Sequence, residues 1–152
     1  MRLSNVPGHG TRTDVAPATA HNPSGDDDAL MQIGMVAERT ELSIRTLRHY
    51  DDVGLVAPSA RSSGGFRLYT DHDIDRLNTI RRMKPLGFTL DEMRRLLDSL
   101  DTLADDSATP QAKNSASAFV TECHTRAEAS CETLRRQLAY AQEFKALLAA
   151  MV

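Results

Sequence analysis

The sequence has no tryptophan, only 5% aromatic residues and two cysteines among 152 residues. So few aromatic residues, in a chain whose apolar set is mainly leucine and alanine, disfavour a β-sandwich or barrel and favour helices. Two cysteines cannot make a disulfide framework, so we expect the reducing cytoplasm as the compartment. No apolar run approaches the roughly 18–20 residues of a membrane span, and no signal-peptide pattern opens the chain. We therefore exclude membrane, fibrous and small secreted proteins.

Patterns of catalytic residues are also missing. The chain has no Ser/His/Asp set, no paired-carboxylate cleft, no glycine-rich phosphate loop and no closed set of metal ligands, and its five histidines are scattered. We therefore expect no enzyme, no cofactor and no metal site.

The net charge of −3 is unevenly distributed along the chain. Between Arg76 and Arg95 there are six basic residues against only two acidic ones, Asp91 and Glu92. The overall charge argues against indiscriminate binding to nucleic acid, but it is compatible with a local basic surface.

Residues 1–30 differ in composition from the rest of the chain. They are rich in Gly, Pro, Ser, Thr, Ala and Asp and have no periodic apolar pattern. Such a segment cannot bury enough apolar surface to offset the entropy of ordering, so we predict a disordered tail. An alternative is that Met31, where the pattern changes, is the true translation start.

Residues 31–100 carry the signals of four short helices. The first has apolar residues at helical spacing and ends near Thr40, and Ser43 is a good N-cap for the second. The third and fourth each begin at a capping box, at Thr70 and at Thr89.

A short segment between the second and third helices has the pattern of a hairpin. Gly64 and Gly65 offer the positive φ angles of a tight turn, and residues 66–69 alternate as a strand does. Two helices joined by a short turn and followed by a small hairpin are typical of a winged helix-turn-helix.

The last third of the chain predicts one long helix after a linker at residues 101–112. No Gly or Pro interrupts residues 113–151, and apolar positions recur at steps of four and three, the heptad pattern of a coiled coil. The predicted seam comprises Val120, His124, Ala127, Cys131, Leu134, Leu138, Ala141, Lys145 and Leu148. The predicted fold is thus mainly α, with a winged helix-turn-helix domain followed by a long antiparallel coiled-coil dimerisation helix.

An ordered series of motifs in residues 31–100 closely resembles the MerR family of bacterial transcription regulators. The motifs are Ile33-Gly34-Met35-Val36-Ala37, the run from Leu42 to Leu55 with its Arg48-His49-Tyr50, Pro58, the run from Arg61 to Tyr69, and Leu86-Gly87-Phe88-Thr89-Leu90. The long helix that follows fits the dimerisation helix of that family.

The candidate DNA contacts lie on the second helix and in the hairpin. Arg45 and Arg48 are three residues apart, so they share one helix face. Each guanidinium group can form two hydrogen bonds with a phosphate or a guanine base. The candidate set is Arg45, Arg48, His49, Tyr50, Arg61, Phe66 and Arg67. The resemblance implies DNA contacts for Arg48, Arg61, Phe66 and Arg67. His49 and Phe66 stand where the family usually has other aromatic residues, and Tyr50 could instead be a core residue.

The two cysteines are the candidates for sensing an effector. Metal-sensing members of the family use thiols near the start of the dimerisation helix and in a later Cys-rich loop, and the sequence to Val152 leaves no room for that loop. We therefore expect the usual metal site to be absent. Cys123 with His124 is a candidate effector site, whereas Cys131 on the seam is more simply a packing residue.

The resemblance implies a homodimer that binds double-stranded promoter DNA at a near-palindromic element. By distorting the promoter spacer, such a dimer would act on RNA polymerase indirectly, through the DNA. The alternative is an architectural or excision-type DNA-binding protein without effector-dependent transcriptional output. The sequence does not separate activation from repression.

Overall fold

The computed structural model describes residues 29–152, so the predicted tail at 1–30 lies almost entirely outside the described residues. The chain is mainly helical, as predicted. In order along the chain, the elements are β1 (Met31–Gln32), α1 (Ile33–Thr40), α2 (Ile44–Asp52), β2 (Ala60–Arg61), β3 (Arg67–Tyr69), α3 (Asp71–Met83), a 3-10 turn (Lys84–Leu86), α4 (Leu90–Ala104) and α5 (Pro110–Ala149).

Hydroxyl side chains start most of the helices. In each case the hydroxyl accepts a hydrogen bond from the backbone N–H three residues later, which satisfies a donor that the helix itself leaves free. The four capping residues are Ser43, Thr70, Thr89 and Thr109. At Thr70 and Thr89 the carboxylates of Asp73 and Glu92 complete capping boxes. The helix starts predicted at Ser43, Thr70 and Thr89 are confirmed.

Strands β2 and β3 form the predicted wing, an antiparallel hairpin in which Ala60 pairs with Leu68. Of the two glycines at its tip, Gly65 alone has a positive φ, +78°, so the expectation of two such angles is wrong for Gly64. Strand β1 adds a third strand to the sheet, with Met31 opposite Tyr69. No pattern in the sequence indicated this strand.

One apolar core joins helices α1 to α4 to the sheet. Val36, Leu47, Tyr69, Leu77 and Leu97 are at most 1% exposed, and each comes from a different element. Burial of these side chains provides most of the driving force that holds the two helices of the helix-turn-helix against the wing.

The connection between α4 and α5 is shorter than predicted. Helix α4 continues to Ala104 and α5 begins at Pro110, so the expected linker at 101–112 is helical at both ends. The remaining turn is held by Asp105, whose carboxylate accepts hydrogen bonds from the backbone N–H and the hydroxyl of Ser107. These bonds lower the pKa of Asp105.

Helix α5 is buried along its first half only. Ala116, Phe119 and Cys123 pack against α4, whereas every residue from Cys131 to Ala149 is exposed. The face packed on α4 is offset from the predicted seam, whose residues Val120 and Ala127 are half-buried and whose His124 is exposed. The seam therefore stays a prediction. Among the described residues, no helix is long and apolar enough to cross a membrane.

Candidate nucleic-acid interface

Helix α2 presents its basic residues to solvent because its apolar residues face the core. Leu47 is 1% exposed, whereas Arg45, Arg48 and His49 are all exposed. Within residues 29–152 neither arginine makes a hydrogen bond or an ion pair with another side chain. Two guanidinium groups one helical turn apart are thus free to bind phosphate or the edge of a guanine base.

The wing lies beside this helix and exposes an aromatic side chain at its tip. Phe66 is 70% exposed, and its backbone N–H donates to Ser62 Oγ at 3.1 Å. Arg48, Phe66 and Arg67 border one cleft of about 130 Å³, which also touches Gln32, Ile33, Gly34 and Gly65. The structure thus brings predicted residues of α2 and of the wing together on one surface.

The two arginines of the wing share a single carboxylate on α2. Asp51 Oδ2 lies 2.6 Å from Arg67 Nε and 3.1 Å from Arg61 Nη2. The hydrogen bond to Asp51 raises the pKa of Arg67. The predicted residues Arg61 and Arg67 are therefore already engaged, and Arg67 is the more enclosed, with 24% of its side chain exposed against 49% for Arg61. Sequence reasoning missed Asp51, whose only signal was an acidic residue at the end of a basic helix.

Tyr50 belongs to the core and not to the exposed surface. It is 3% exposed, and this burial raises the pKa of its phenol. The core alternative left open by the sequence therefore describes this residue, and we leave it out of the interface.

Arg94 of α4 supports the end of helix α2. Its Nη2 donates to the carbonyl oxygen of Val53 at 2.9 Å, and its Nη1 lies 2.9 Å from Asp91 Oδ1. Val53 caps α2, so Arg94 satisfies a carbonyl that the helix leaves unpaired. Arg94 therefore contributes to the fold around α2.

The candidate effector residues lie in different surroundings. Cys123 is 8% exposed between α4 and α5, and burial raises the pKa of its thiol, whereas the side chain of His124 is 71% exposed and lies 3.5 Å from Glu128. Both border an apolar groove of about 310 Å³ between α3, α4 and α5. A buried thiol with a raised pKa is poorly reactive, so these surroundings do not favour a sensor at Cys123. In residues 29–152, no cluster of three or more His, Cys, Asp or Glu side chains is arranged to hold a metal ion.

Two protein-family models match this chain, one over the winged domain and one over the long helix together with α3 and α4. Residues 31–100 match the family model described as "MerR HTH family regulatory protein", and residues 74–151 match the model described as "MerR, DNA binding". The second match alone spans more than half of the chain.

Curated relatives match about half of this chain. The chain is 50% identical over 76 residues to the HTH-type transcriptional activator TipA of Streptomyces coelicolor, which covers 50% of this chain and 29% of TipA. It is 49% identical over 67 residues to the HTH-type transcriptional activator mta of Bacillus subtilis, which covers 44% of this chain and 26% of mta. The matched region is thus less than a third of the length of either relative.

A solved structure shares the fold over a longer region. HiNmlR, described as a MerR family regulator lacking the sensor domain and bound to promoter DNA, superposes with a TM-score of 0.57 at 24% sequence identity. The superposition covers 72% of this chain and 78% of HiNmlR. Two family models that together span residues 31–151, with a fold to match, show that this chain belongs to the MerR family.

Proposed function

We propose that this protein is a sequence-specific DNA-binding transcription regulator that acts as a homodimer in the bacterial cytoplasm. The observation that carries the proposal is the exposure of Arg45 and Arg48 on α2, where Arg48 borders a cleft shared with the wing and neither arginine has a side-chain partner within residues 29–152. Its relatives TipA and mta are named as transcriptional activators, which supports the same class of function.

The geometry of α2 and the wing suits double-stranded DNA. A helix of this size enters the major groove, where arginine can bind guanine O6 and N7 with both nitrogens. With α2 in the groove, His49 and the tip residue Phe66 would lie beside the DNA backbone. Arg61, which is half exposed, is the wing arginine better placed to bind a phosphate.

The second half of α5 supplies the surface for a second copy of the chain. Leu134, Leu138 and Leu148 are 47%, 59% and 47% exposed, and each buried leucine contributes about 1.5–3 kcal/mol. In an antiparallel pair, the partner's second half lies along the first half of α5, where the apolar groove beside Val120 and Ala127 is open. The exposed leucines and the groove therefore fit each other in a two-fold dimer.

A dimer places two winged domains on one stretch of DNA, at two half-sites of a near-palindromic element. Acting on RNA polymerase through a distorted promoter spacer would use the energy of DNA deformation rather than a direct protein contact.

The proposal is tested by selecting bound sequences from a pool of double-stranded DNA with a randomised 30-base-pair region, using the full chain. We expect an enriched element with two related half-sites, protection of such an element in the DNA flanking the gene, and a change in run-off transcription there. Binding without any sequence preference would contradict the proposal. Sequence-specific binding without a change in transcription would favour the architectural alternative.

Replacing Arg48 tests whether α2 forms the interface. Arg48→Ala should weaken binding to the selected element and lower the slope of log K against log salt by about 1 if a phosphate contact is lost. Arg136→Ala is the matched control, because Arg136 is an exposed arginine of α5 that lies neither on α2 or the wing nor on the predicted seam. Equal changes in affinity and salt slope for both variants would contradict a DNA contact of Arg48.

A further inference from the structure

A single carboxylate, that of Asp51, connects helix α2 to both strands of the wing. We propose that Asp51 is a specificity-determining residue that positions the wing relative to α2, so that both read one DNA site together. This inference rests on the proposed function, since it assigns a role within DNA recognition.

The contacts of Asp51 join three elements at one oxygen. Oδ2 accepts a hydrogen bond from Arg67 Nε of β3 at 2.6 Å and from Arg61 Nη2 of β2 at 3.1 Å. The side chain is only 13% exposed. Charge-assisted bonds of this kind, partly shielded from water, are stronger and more directional than surface ion pairs.

The wing needs such a contact because of its own sequence. Arg61 and Arg67 are directly opposite each other in the hairpin, and like charges at such positions destabilise a pair of strands. The carboxylate of Asp51 offsets this repulsion. Arg61 Nη1 also donates to the carbonyl oxygen of Gly65 at 3.3 Å, which extends the connection to the tip that carries Phe66.

The consequence for DNA binding is a choice between two states of the wing arginines. While they are bound to Asp51, they hold the wing at a fixed distance from α2. Once released, two mobile guanidinium groups can bind phosphates of any sequence, and phosphate contacts carry no sequence information. Loss of Asp51 should therefore strengthen non-specific binding and weaken discrimination.

The next residue, Asp52, provides a matched control. Its side chain is 70% exposed, and its ion pair with the wing is longer, at 3.8 Å between Oδ1 and Arg67 Nη2. Asp51→Asn and Asp52→Asn remove the same charge from the same helix end, but only the first removes the charged acceptor shared by both wing arginines. A difference between the two variants therefore reports positioning and not general electrostatics.

The experiment measures the affinity of the full chain and both variants for the selected element and for a 30-base-pair duplex of random sequence, at several salt concentrations. We expect Asp51→Asn to lower the ratio of specific to non-specific affinity about tenfold, comparable to one mismatched base pair. We also expect its salt slope on the random duplex to steepen by about 1. Asp52→Asn should leave the affinity ratio close to that of the wild type.

Hydrogen exchange supplies a readout that does not depend on DNA. The amides of Ser62 and Gly65 donate to the carbonyl oxygens of Phe66 and Ser62, both at 2.9 Å, and should exchange faster in Asp51→Asn than in Asp52→Asn. Equal exchange and an equal affinity ratio in the two variants would overturn the inference. A parallel loss of both affinities at an unchanged ratio would do the same, because it indicates only a weaker fold. A wild-type chain without sequence preference would instead contradict the proposed function.

Discussion

The two halves of helix α5 are continuous in backbone but differ in what covers their apolar faces. In the first half, Phe119 packs under the guanidinium of Arg95 at 3.9 Å, and Arg126 covers the ring of Phe88 at 4.2 Å. In the second half, Leu134 and Leu138 remain about half exposed. The first half thus contributes to the fold of one chain, whereas the second half leaves its apolar residues exposed, and we propose that a second chain covers them. Helix α4 ends at Ala104, and within residues 29–152 no other element covers the second half.

The largest effect on assembly and DNA affinity is expected from a charge introduced in the second half of α5. Leu138→Asp would place a carboxylate from each chain in the apolar contact, at a cost large enough to separate the dimer. Sedimentation should report a monomer, and affinity for the selected element should fall towards the non-specific level. Ala139→Asp, on a neighbouring face of the same turn, should remain dimeric. A dimeric Leu138→Asp protein with normal binding would contradict the assignment of this half to assembly.

Shortening a buried side chain in the first half of α5 should instead lower the free energy of unfolding. Phe119→Ala removes a side chain that is 6% exposed and leaves a cavity between α4 and α5. Such losses typically cost about 3–5 kcal/mol. Urea unfolding should show this decrease even for the Leu138→Asp monomer. An unchanged free energy of unfolding in the monomer would mean that α4 does not stabilise this half of the helix.

The reaction rates of the two cysteines, one in each half of α5, should show a smaller difference between the halves. Cys123 is covered within its own chain, so it should react slowly with a thiol reagent in both the dimer and the Leu138→Asp monomer. Cys131 is exposed in the single chain, so it should react rapidly in the monomer and more slowly where a partner covers it. Because burial raises the pKa of Cys123, its reaction should accelerate only at a higher pH than that of an ordinary thiol.

The variants Cys123→Ser and Cys131→Ser assign each rate to its thiol. Equally rapid reaction of both cysteines in the dimer would contradict the burial of Cys123 against α4.

The smallest effect on stability is expected at the ion pair between Arg126 in the first half of α5 and Glu92 at the start of α4. The pKa of Glu92 is lowered by the backbone N–H of Thr89 and then by Arg126, whose Nη1 lies 2.7 Å from Oε1. A carboxyl whose pKa is lower in the folded state stabilises the fold above its unfolded pKa and loses that contribution as the pH falls. The difference in stability between the wild type and Glu92→Gln should therefore be present at neutral pH and shrink on acidification through the carboxyl range.

Urea unfolding over that pH range measures this difference. A difference independent of pH would mean that the charge of Glu92 contributes nothing.

Local features of this chain could be predicted from sequence, and long-range ones could not. The caps at Ser43 and Thr89 involve residues three positions apart, so their pattern is visible in the sequence. The heptad pattern indicated a face of α5 that α4 leaves open, but a repeat in the sequence does not tell what covers such a face. Strand β1 was missed because two residues carry no pattern and form a strand only by pairing with β3.

The candidate interface shows the same limit. Exposure of Arg45 and Arg48 follows from helix periodicity, since Leu47 occupies the opposite face. The contacts of Asp51 with Arg61 and Arg67 span 10 and 16 residues, so they depend on how the wing folds back onto α2.

The contact of Arg126 with the carbonyl oxygen of Gly87, at 2.7 Å, also has a mechanical consequence. This contact holds α5 near the point where the helix leaves the rest of the chain. The exposed part of the helix extends about 30 Å beyond it, at 1.5 Å per residue. A tilt of about 5° at this point displaces the far end of the helix by about 3 Å, close to the rise of one base pair. In the proposed dimer, the contacts that hold the first half of α5 would therefore limit how accurately the two DNA-binding units are held in register with the turns of a double helix.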